Sequence, residues 1–228
     1  KALLNFGQKI LKILKVPKKS LITEQICAHL QLKENGQKNL RQNRKNKRFV
    51  YLISPNKIKN KDFYNKLHQV LSSKKVSFFQ LRLKKEKIRN KIFIGKKIKK
   101  ICKKYQVKFL INDDPVLAKK INADGCHLGQ KDMNILKARK ILKNKIVGIT
   151  CHNSINLAKK AIAGGASYLA FGAFYSSKTK KVKYKANLKI LSLAKKLTNT
   201  PIVAIGGIKD TNYKKLLLNK ANFLAISS

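Results

Sequence analysis

The sequence is poor in acidic residues and has no tryptophan. Its 228 residues include nine Asp and Glu, four Cys, four Pro and one Met, against 54 Lys and Arg. The resulting net charge of +45 would normally indicate a polyanionic partner. However, only six of the basic residues are Arg, and the lysines are spread along the whole chain. Nucleic-acid-binding surfaces concentrate their charge and favour Arg, so we expect no specific nucleic-acid partner.

The cysteines and the apolar runs exclude two further classes of protein. Cys27, Cys102, Cys126 and Cys151 form no C-x-x-C pair and no spaced ligand set with the histidines, which argues against a zinc site and a disulfide framework. No apolar run approaches the roughly 20 residues that span a bilayer, and the first residues lack the uninterrupted apolar core of a secretory signal. We therefore expect a cytoplasmic protein without a membrane partner.

Two regions of different character divide the chain. Residues 1–48 combine a short basic amphipathic segment with the polar run "KENGQKNLRQNRKNKR", which is typical of a linker. We interpret 1–48 as a basic N-terminal extension, and whether it belongs to the native fold stays open. Residues 49–228 are long enough to bury one sizeable core, and we expect them to form a single catalytic domain.

From residue 49 onward, short apolar runs rich in β-branched residues alternate with Lys-rich segments of helical period. Such alternation predicts an α/β fold with buried parallel strands, and eight units favour a closed (β/α)8 TIM barrel over an open sheet. The sequence ends directly after the last strand, so we expect a barrel that lacks its final helix. The candidate strands are residues 48–54, 77–83, 107–112, 125–129, 145–150, 167–172, 201–206 and 222–227.

Four of the nine acidic residues lie close together, at Asp113, Asp114, Asp124 and Asp132. In a parallel barrel the carboxyl ends of all strands share one face, where the functional side chains collect. Asp113 and Asp132 follow the third and fourth candidate strands at that face, whereas Asp124 precedes a strand at the opposite end. Because Mg²⁺ is held by one or two carboxylates together with phosphate oxygens and water, we predict that Asp113 and Asp132 are magnesium ligands.

Other strand ends carry groups that suit a phosphorylated substrate. Gln80, Arg82 and Lys84 alternate with two leucines after the second strand, so their side chains point the same way. Thr150 ends the fifth strand, and a glycine pair at 206–207 ends the seventh, where bare amides can face a phosphate. Carboxylates, cations and exposed amides together indicate a site for a magnesium-bridged pyrophosphate.

Seven segments, in this order along the chain, resemble the thiamine-phosphate synthase family. They are "FFQLRLKK", "INDDP", "ADGCHLGQKD", "GITCH", "SSKTKK", "VAIGGI" and the terminal "AIS". The resemblance covers about residues 49–228. It implies a (β/α)8 barrel and a magnesium-dependent transferase that joins a hydroxymethylpyrimidine diphosphate to a thiazole phosphate and releases pyrophosphate.

The resemblance also implies roles for individual residues. Asp113 and Asp132 match the metal ligands. Arg82, Lys84, Thr150 and Lys180 match catalytic positions, where charge on the leaving pyrophosphate is stabilised. The positions that match contacts to the pyrimidine diphosphate are Gln80, Arg82, Lys84, Asn112, Thr150 and Lys180. Those that match contacts to the thiazole phosphate are Ser177, Thr179, Gly207, Ile226 and Ser227. The implied partners are small-molecule substrates, and a homo-oligomer is left open.

Two other functions stay open at this point. The thiazole tautomerases, isomerases on the same barrel, resemble the sequence in "GITCH" and in the glycine pair. A truncated, non-catalytic homologue is the other alternative. The set Gln80, Arg82, Lys84 and Asp132 favours the synthase, because the tautomerase does not need it. His127, in the middle of a strand, is expected to be a packed, hydrogen-bonded core histidine, while the role of His152 is open.

Overall fold

Eight parallel strands close into a barrel in the computed structural model, which describes residues 48–58, 61–176 and 184–227. Each strand pairs with the next along the chain, and β8 pairs with β1 through Val50 and Leu224 to complete the ring. The strands are β1 (Val50–Ile53), β2 (Val76–Leu81), β3 (Lys108–Asn112), β4 (Gly125–Leu128), β5 (Ile146–His152), β6 (Tyr168–Gly172), β7 (Ile202–Ile205) and β8 (Phe223–Ser227). All eight expected strands are confirmed.

Within the described residues, seven helices connect consecutive strands. Their apolar residues recur at helical spacing and pack on the outside of the barrel, as expected for the crossovers of a parallel sheet. They are α1 (Lys61–Ser72), α2 (Ile88–Lys104), α3 (Pro115–Lys120), α4 (Ile135–Leu142), α5 (Ile155–Ala163), α6 (Lys189–Leu197) and α7 (Tyr213–Leu218). Within the described residues no helix follows β8. The closed parallel barrel and its connecting helices confirm the TIM-barrel fold.

The strands bury side chains on both of their faces. The outer face packs against the helices, for example through Phe79 and Phe109, which have no exposed surface. The inner face forms a separate cluster in the lumen that includes Tyr51, Leu110 and Tyr168. Burial of a large apolar side chain contributes about 1.5–3 kcal/mol, so these two layers hold the strands in register and fix the positions of their ends.

The amino ends of the strands are held together by polar contacts. Arg139 donates hydrogen bonds to the carbonyl oxygens of Gly165, Lys143 and Lys145 and to the hydroxyl of Ser167. These bonds connect the end of α4 to the starts of β5 and β6. This end of the barrel therefore serves stability.

Asp124 also lies at this end, as the sequence predicts for a turn residue. Its carboxylate accepts a hydrogen bond of 2.8 Å from the backbone N–H of Phe109 and lies 3.6 Å from Lys108 Nζ. Asp124 thus joins the start of β4 to the start of β3, away from the carboxyl ends of the strands.

Three cysteines of the described part, Cys102, Cys126 and Cys151, are free and buried. Burial raises the pKa of the Cys126 thiol to about 12, so that cysteine is a small core side chain and not a reactive group. None of the helices in the described ranges is long and apolar enough to cross a membrane. The expected extension, residues 1–48, lies almost entirely outside the described residues.

Candidate active site

The end of β2 separates polar from apolar side chains by strand alternation. Leu81 and Leu83 are buried in the layer between strands and helices. Gln80, on the opposite side of the strand, is 2% exposed and donates a hydrogen bond of 3.1 Å from Nε2 to the hydroxyl of Tyr51 in the lumen. Gln80 therefore forms part of the floor below the open end of the barrel.

Arg82 and Lys84 continue the same side of the chain beyond the last residue of β2. The backbone N–H of Arg82 donates to Ser54 Oγ at 2.8 Å, and its guanidinium donates to the side-chain oxygen of Asn56, which follows β1. Lys84 Nζ lies 2.9 Å from Asp113 Oδ2. Both cations are thus held at the rim of the barrel, and Lys84 is already paired with an expected metal ligand.

The Asn-Asp-Asp-Pro run after β3 divides its two carboxylates between different tasks. Asp114 caps α3, since its side chain accepts a hydrogen bond of 2.8 Å from the backbone N–H of Leu117, with Pro115 at the first helical position. Asp113 has a left-handed backbone, with φ of 65°, and its N–H donates to the carbonyl oxygen of His127 at 2.8 Å. This turn points the Asp113 carboxylate toward Lys84.

The carboxyl groups of Asp113 and Asp132 are close enough to influence each other's ionisation. Asp132 Oδ2 accepts a hydrogen bond of 2.6 Å from the backbone N–H of Gly129. Burial and the neighbouring Asp113 raise the pKa of Asp132 despite that backbone bond. Burial alone would also raise the pKa of Asp113, but the hydrogen bond from Lys84 holds it below its usual range. One carboxyl of the pair is therefore readily ionised and the other holds a proton more tightly.

This pair fits a magnesium ion that is completed by substrate oxygens. No cluster of three or more His, Cys, Asp and Glu side chains occurs among the described residues, so a closed, all-protein metal cage is not formed there. Two adjacent carboxylates are nevertheless the usual protein share of a Mg²⁺ site, in which phosphate oxygens and water supply the other ligands. Carboxylate oxygens are the donors that this ion prefers.

A chain of hydrogen bonds crosses the lumen beneath these groups. The hydroxyls of Tyr51 and Tyr168 lie 2.7 Å apart. His127 Nδ1 lies 2.8 Å from the Tyr168 hydroxyl, and Nε2 lies 2.9 Å from Thr150 Oγ1. The expectation of a hydrogen-bonded core histidine is confirmed. Burial lowers the pKa of His127 to about 4, so the imidazole is neutral near pH 7.

The end of β5 brings Thr150 and His152 to the same face. Gln130, in the loop after β4, donates a hydrogen bond from its amide to the backbone oxygen of Thr150. The imidazole of His152 stacks on the ring of Tyr184, with centroids 4.1 Å apart. His152 has a φ of 52°. This stacking places His152 against the segment between β6 and α6, which contains Tyr184.

The glycine pair after β7 permits a close approach between neighbouring loops. Gly207 has a φ of 60°, and a Cβ there would lie 2.4 Å from the carbonyl oxygen of Ser176. Only glycine fits this position. At the next strand end, Ile226 is buried and Ser227 is exposed. Gly207, Ile226 and Ser227 therefore stand at the carboxyl ends of β7 and β8, beside the start of the β6 loop.

The structure brings most of the expected site residues to one end of the barrel. Those at the carboxyl ends of the strands or directly after them are Gln80, Arg82, Lys84, Asn112, Asp113, Asp132, Thr150, Gly207, Ile226 and Ser227. The other three, Ser177, Thr179 and Lys180, lie in 177–183, outside the described residues.

A cavity of about 350 Å³ opens between the ends of β2 and β3. It lies beside the Lys84–Asp113 pair and extends toward the first turn of α3. Its wall is formed by Leu81, Leu83, Lys84, Lys91, Ile111, Asn112, Asp113, Asp114 and Leu117.

Sequence reasoning missed several residues that support the site. Tyr51 and Tyr168 carry the lumen hydrogen bonds, and Ser54 fixes the backbone of Arg82. In the sequence the two tyrosines look like ordinary aromatic strand residues. The available signal was a polar-tipped aromatic at an inward-facing position of each strand, since a buried Tyr hydroxyl usually has a partner.

Comparison with known proteins gives a consistent family. The sequence model described as "Thiamine monophosphate synthase" matches residues 50–228. The thiamine-phosphate synthase of Pelagibacter ubique is 75% identical over 188 residues, which cover 82% of this chain and 91% of that protein. The thiamine-phosphate synthase of Nitrosomonas eutropha is 39% identical over 179 residues, with coverage of 78% and 84%.

A solved structure agrees with these relatives. The thiamine phosphate pyrophosphorylase from Pyrococcus furiosus superimposes with a TM-score of 0.70 at 28% identity, covering 80% of this chain and 87% of that one. The likeness therefore extends over nearly the whole barrel.

Proposed function

The chain belongs to the thiamine monophosphate synthase family and is a transferase of thiamine biosynthesis, and from this premise we propose how its residues perform the condensation. The substrates are 4-amino-5-hydroxymethyl-2-methylpyrimidine diphosphate and a thiazole phosphate. The thiazole nitrogen forms a bond to the pyrimidine methylene carbon, and the C–O bond to the diphosphate breaks. Pyrophosphate leaves with the electron pair, and thiamine phosphate is the product.

Charge stabilisation at the leaving group is the main task of this site, because departure of pyrophosphate needs neither a protein nucleophile nor a strong base. Arg82 and Lys84, held at the rim by Asn56 and Asp113, bind the diphosphate oxygens. Preorganised cations of this kind favour the state in which negative charge has developed. We assign Thr150 and Lys180 to the same group of catalytic contacts, and Gln80 and Asn112 to binding of the pyrimidine diphosphate.

Asp113 and Asp132 hold the magnesium cofactor in this proposal. When bound, Mg²⁺ neutralises charge on the diphosphate and so assists its departure. Lys84 lies 2.9 Å from Asp113, so it would lie beside a diphosphate bound at this pair.

The second substrate lies on the other side of the barrel mouth. We assign Gly207, Ser177, Thr179, Ile226 and Ser227 to the thiazole phosphate, because exposed amides and hydroxyls at the ends of β7 and β8 suit a phosphate monoester. Binding both substrates at one mouth brings the thiazole nitrogen next to the methylene carbon, and such proximity lowers the barrier to coupling.

The observation that carries this assignment is the convergence of Arg82, the Lys84–Asp113 pair and Asp132 at one end of the barrel. The test is release of pyrophosphate by the purified protein with both substrates and Mg²⁺. We expect release to require the thiazole phosphate and to stop on chelation of the metal. Conversion of a thiazole phosphate without any pyrophosphate release would instead support the isomerase alternative.

We place the domain boundary at residues 48 and 49, next to the start of the family match at residue 50. The free, buried cysteines suit a reducing cytoplasm. The partners in this reaction are small molecules and not a specific nucleic acid.

A further inference from the structure

Five side chains form an unbroken hydrogen-bonded chain across the barrel lumen, with Gln80 and Thr150 at its two ends. Gln80 Nε2 lies 3.1 Å from the Tyr51 hydroxyl, which lies 2.7 Å from the Tyr168 hydroxyl. His127 then bridges Tyr168 to Thr150, with distances of 2.8 Å at Nδ1 and 2.9 Å at Nε2. Gln80 and Thr150 belong to the proposed pyrimidine diphosphate site, whereas Tyr51, Tyr168 and His127 are not assigned to it.

The direction of these hydrogen bonds is set by which atom of the Gln80 amide faces Tyr51, and in the structure that atom is the nitrogen. An amide nitrogen only donates, so the Tyr51 oxygen is the acceptor of Gln80. Tyr51 and Tyr168 are each 1% exposed, so solvent does not take their hydrogens. Tyr51 therefore donates to Tyr168, and Tyr168 donates to Nδ1 of His127. A neutral imidazole that accepts at Nδ1 carries its hydrogen on Nε2, and that hydrogen is donated to Thr150.

We propose that Tyr51, Tyr168 and His127 are positioning residues that fix this direction, so that Thr150 presents its hydroxyl hydrogen to the substrate. With its oxygen occupied by the Nε2–H of His127, the Thr150 hydroxyl is oriented as a donor toward the mouth. This consequence rests on the proposed function, because the acceptor there is an oxygen of the pyrimidine diphosphate.

The opposite direction would suit the substrate poorly. It requires the Gln80 amide to be turned, so that its oxygen accepts from Tyr51 and every later bond is reversed. His127 would then carry its hydrogen on Nδ1, and Thr150 would donate into the barrel wall. Only hydroxyl lone pairs would face an anionic diphosphate, which is itself an acceptor.

Nitrogen NMR of the histidine side chains tests the direction without any substrate. In the full-length, ¹⁵N-labelled protein near pH 7, His127 should show a protonated nitrogen at Nε2 and an unprotonated nitrogen at Nδ1. The His127→Gln variant identifies its signals by their loss. A hydrogen on Nδ1, or on both nitrogens, overturns the proposal, whether or not the protein couples the two substrates.

A second measurement separates positioning from simple structural support. Tyr168→Phe removes the donor to Nδ1 while it keeps the ring in the lumen. We expect the Nε2–H preference of His127 to weaken and turnover to fall about fivefold, the effect of losing one ordinary hydrogen bond. Tyr213→Phe is the matched control, since Tyr213 is also buried but lies in the outer layer. Unchanged His127 signals and unchanged turnover in Tyr168→Phe would contradict the positioning role.

Discussion

At the scale of single residues, Asp113 lies close to both Lys84 and Asp132, which links the proposed metal site to the ion pair. Asp113 ionises easily because Lys84 lies 2.9 Å away, whereas the pKa of Asp132 is raised. A metal held by the two carboxylates would compete with Lys84 for Asp113. Lys84 would then turn from a partner of Asp113 into a partner of the substrate, so both carboxylates affect the cation as well as the metal.

Neutralising either carboxylate should therefore lower turnover. Asp113→Asn and Asp132→Asn each remove a charge with almost no change in volume, and we expect at least about a tenfold loss of turnover for each. Circular dichroism should show an intact fold. The matched control is Asp124→Asn at the opposite end of the barrel, which should retain turnover. Normal turnover in both site variants would refute the metal assignment.

Arg82 should contribute to the transition state more than to binding of the second substrate. Arg82→Ala is expected to cost roughly 2 to 4 kcal/mol of transition-state stabilisation, because one preorganised cation is lost. Steady-state coupling rates give this value, and the affinity for the thiazole phosphate should change little. Lys85→Ala is a suitable control, since Lys85 is exposed one residue beyond Lys84. A weakened thiazole phosphate site with unchanged coupling would contradict the role of Arg82.

His127 should make the folded state sensitive to mild acid. Its pKa is about 4 in the folded protein because of burial, against an ordinary value of 6.5. Between these values the unfolded chain binds more protons, so stability is present above pH 6.5 and is lost as the pH falls toward 4. The loss is on the order of 3 kcal/mol. Denaturant unfolding across this range should show a shallower pH dependence for His127→Gln, and equal slopes would refute the assignment.

The charged site residues could be predicted from the sequence, whereas the residues that support them could not. Asp113 and Asp132 stand out because acidic residues are scarce and strand ends share one face. Tyr51 and Tyr168 do not stand out, since their partners come from strands that are distant in sequence and only closure of the barrel brings the hydroxyls to 2.7 Å.

At the scale of secondary structure, apolar runs identify every strand but locate the helix ends less well. The strands are clear because both faces are buried, which requires continuous apolar residues. Helix α2 begins at Ile88 and helix α6 begins at Lys189, and the apolar spacing of the sequence does not mark either residue. Capping and turn contacts decide such ends, and Lys87 before α2 gives no side-chain cap that the sequence could have signalled.

Arg139 provides a test of stability that is separate from the site. Arg139→Lys keeps the charge but cannot reach Gly165, Ser167 and Lys145 together, because lysine lacks the planar guanidinium. We expect a loss of about 1 to 3 kcal/mol in the free energy of unfolding with turnover at saturating substrate unchanged. Arg89→Lys, at an exposed position of α2, should leave both unchanged. A turnover defect in Arg139→Lys would contradict the separation of the two barrel ends.

At the scale of the whole molecule, positive charge is only partly neutralised. The chain carries a net charge of +45, and three Lys–carboxylate pairs form in the part of the chain that the structure describes. Like charges repel in the compact state, while the same field attracts anionic ligands from a distance. The excess lysine therefore has opposite effects on stability and on substrate capture, and salt should reveal both.

Raising the salt concentration should increase stability and decrease catalytic efficiency. The Debye screening length shortens from about 10 Å at 0.1 M to about 3 Å at 1 M ionic strength, so repulsion among lysines and attraction of substrates both weaken. We expect the thermal midpoint to rise with KCl at constant Mg²⁺. Over the same range kcat/KM should fall by about tenfold, more steeply for the pyrimidine diphosphate than for the thiazole monophosphate, because the diphosphate carries more charge. Equal slopes for the two substrates, or none, would show that the lysine-rich surface does not guide them to the barrel mouth.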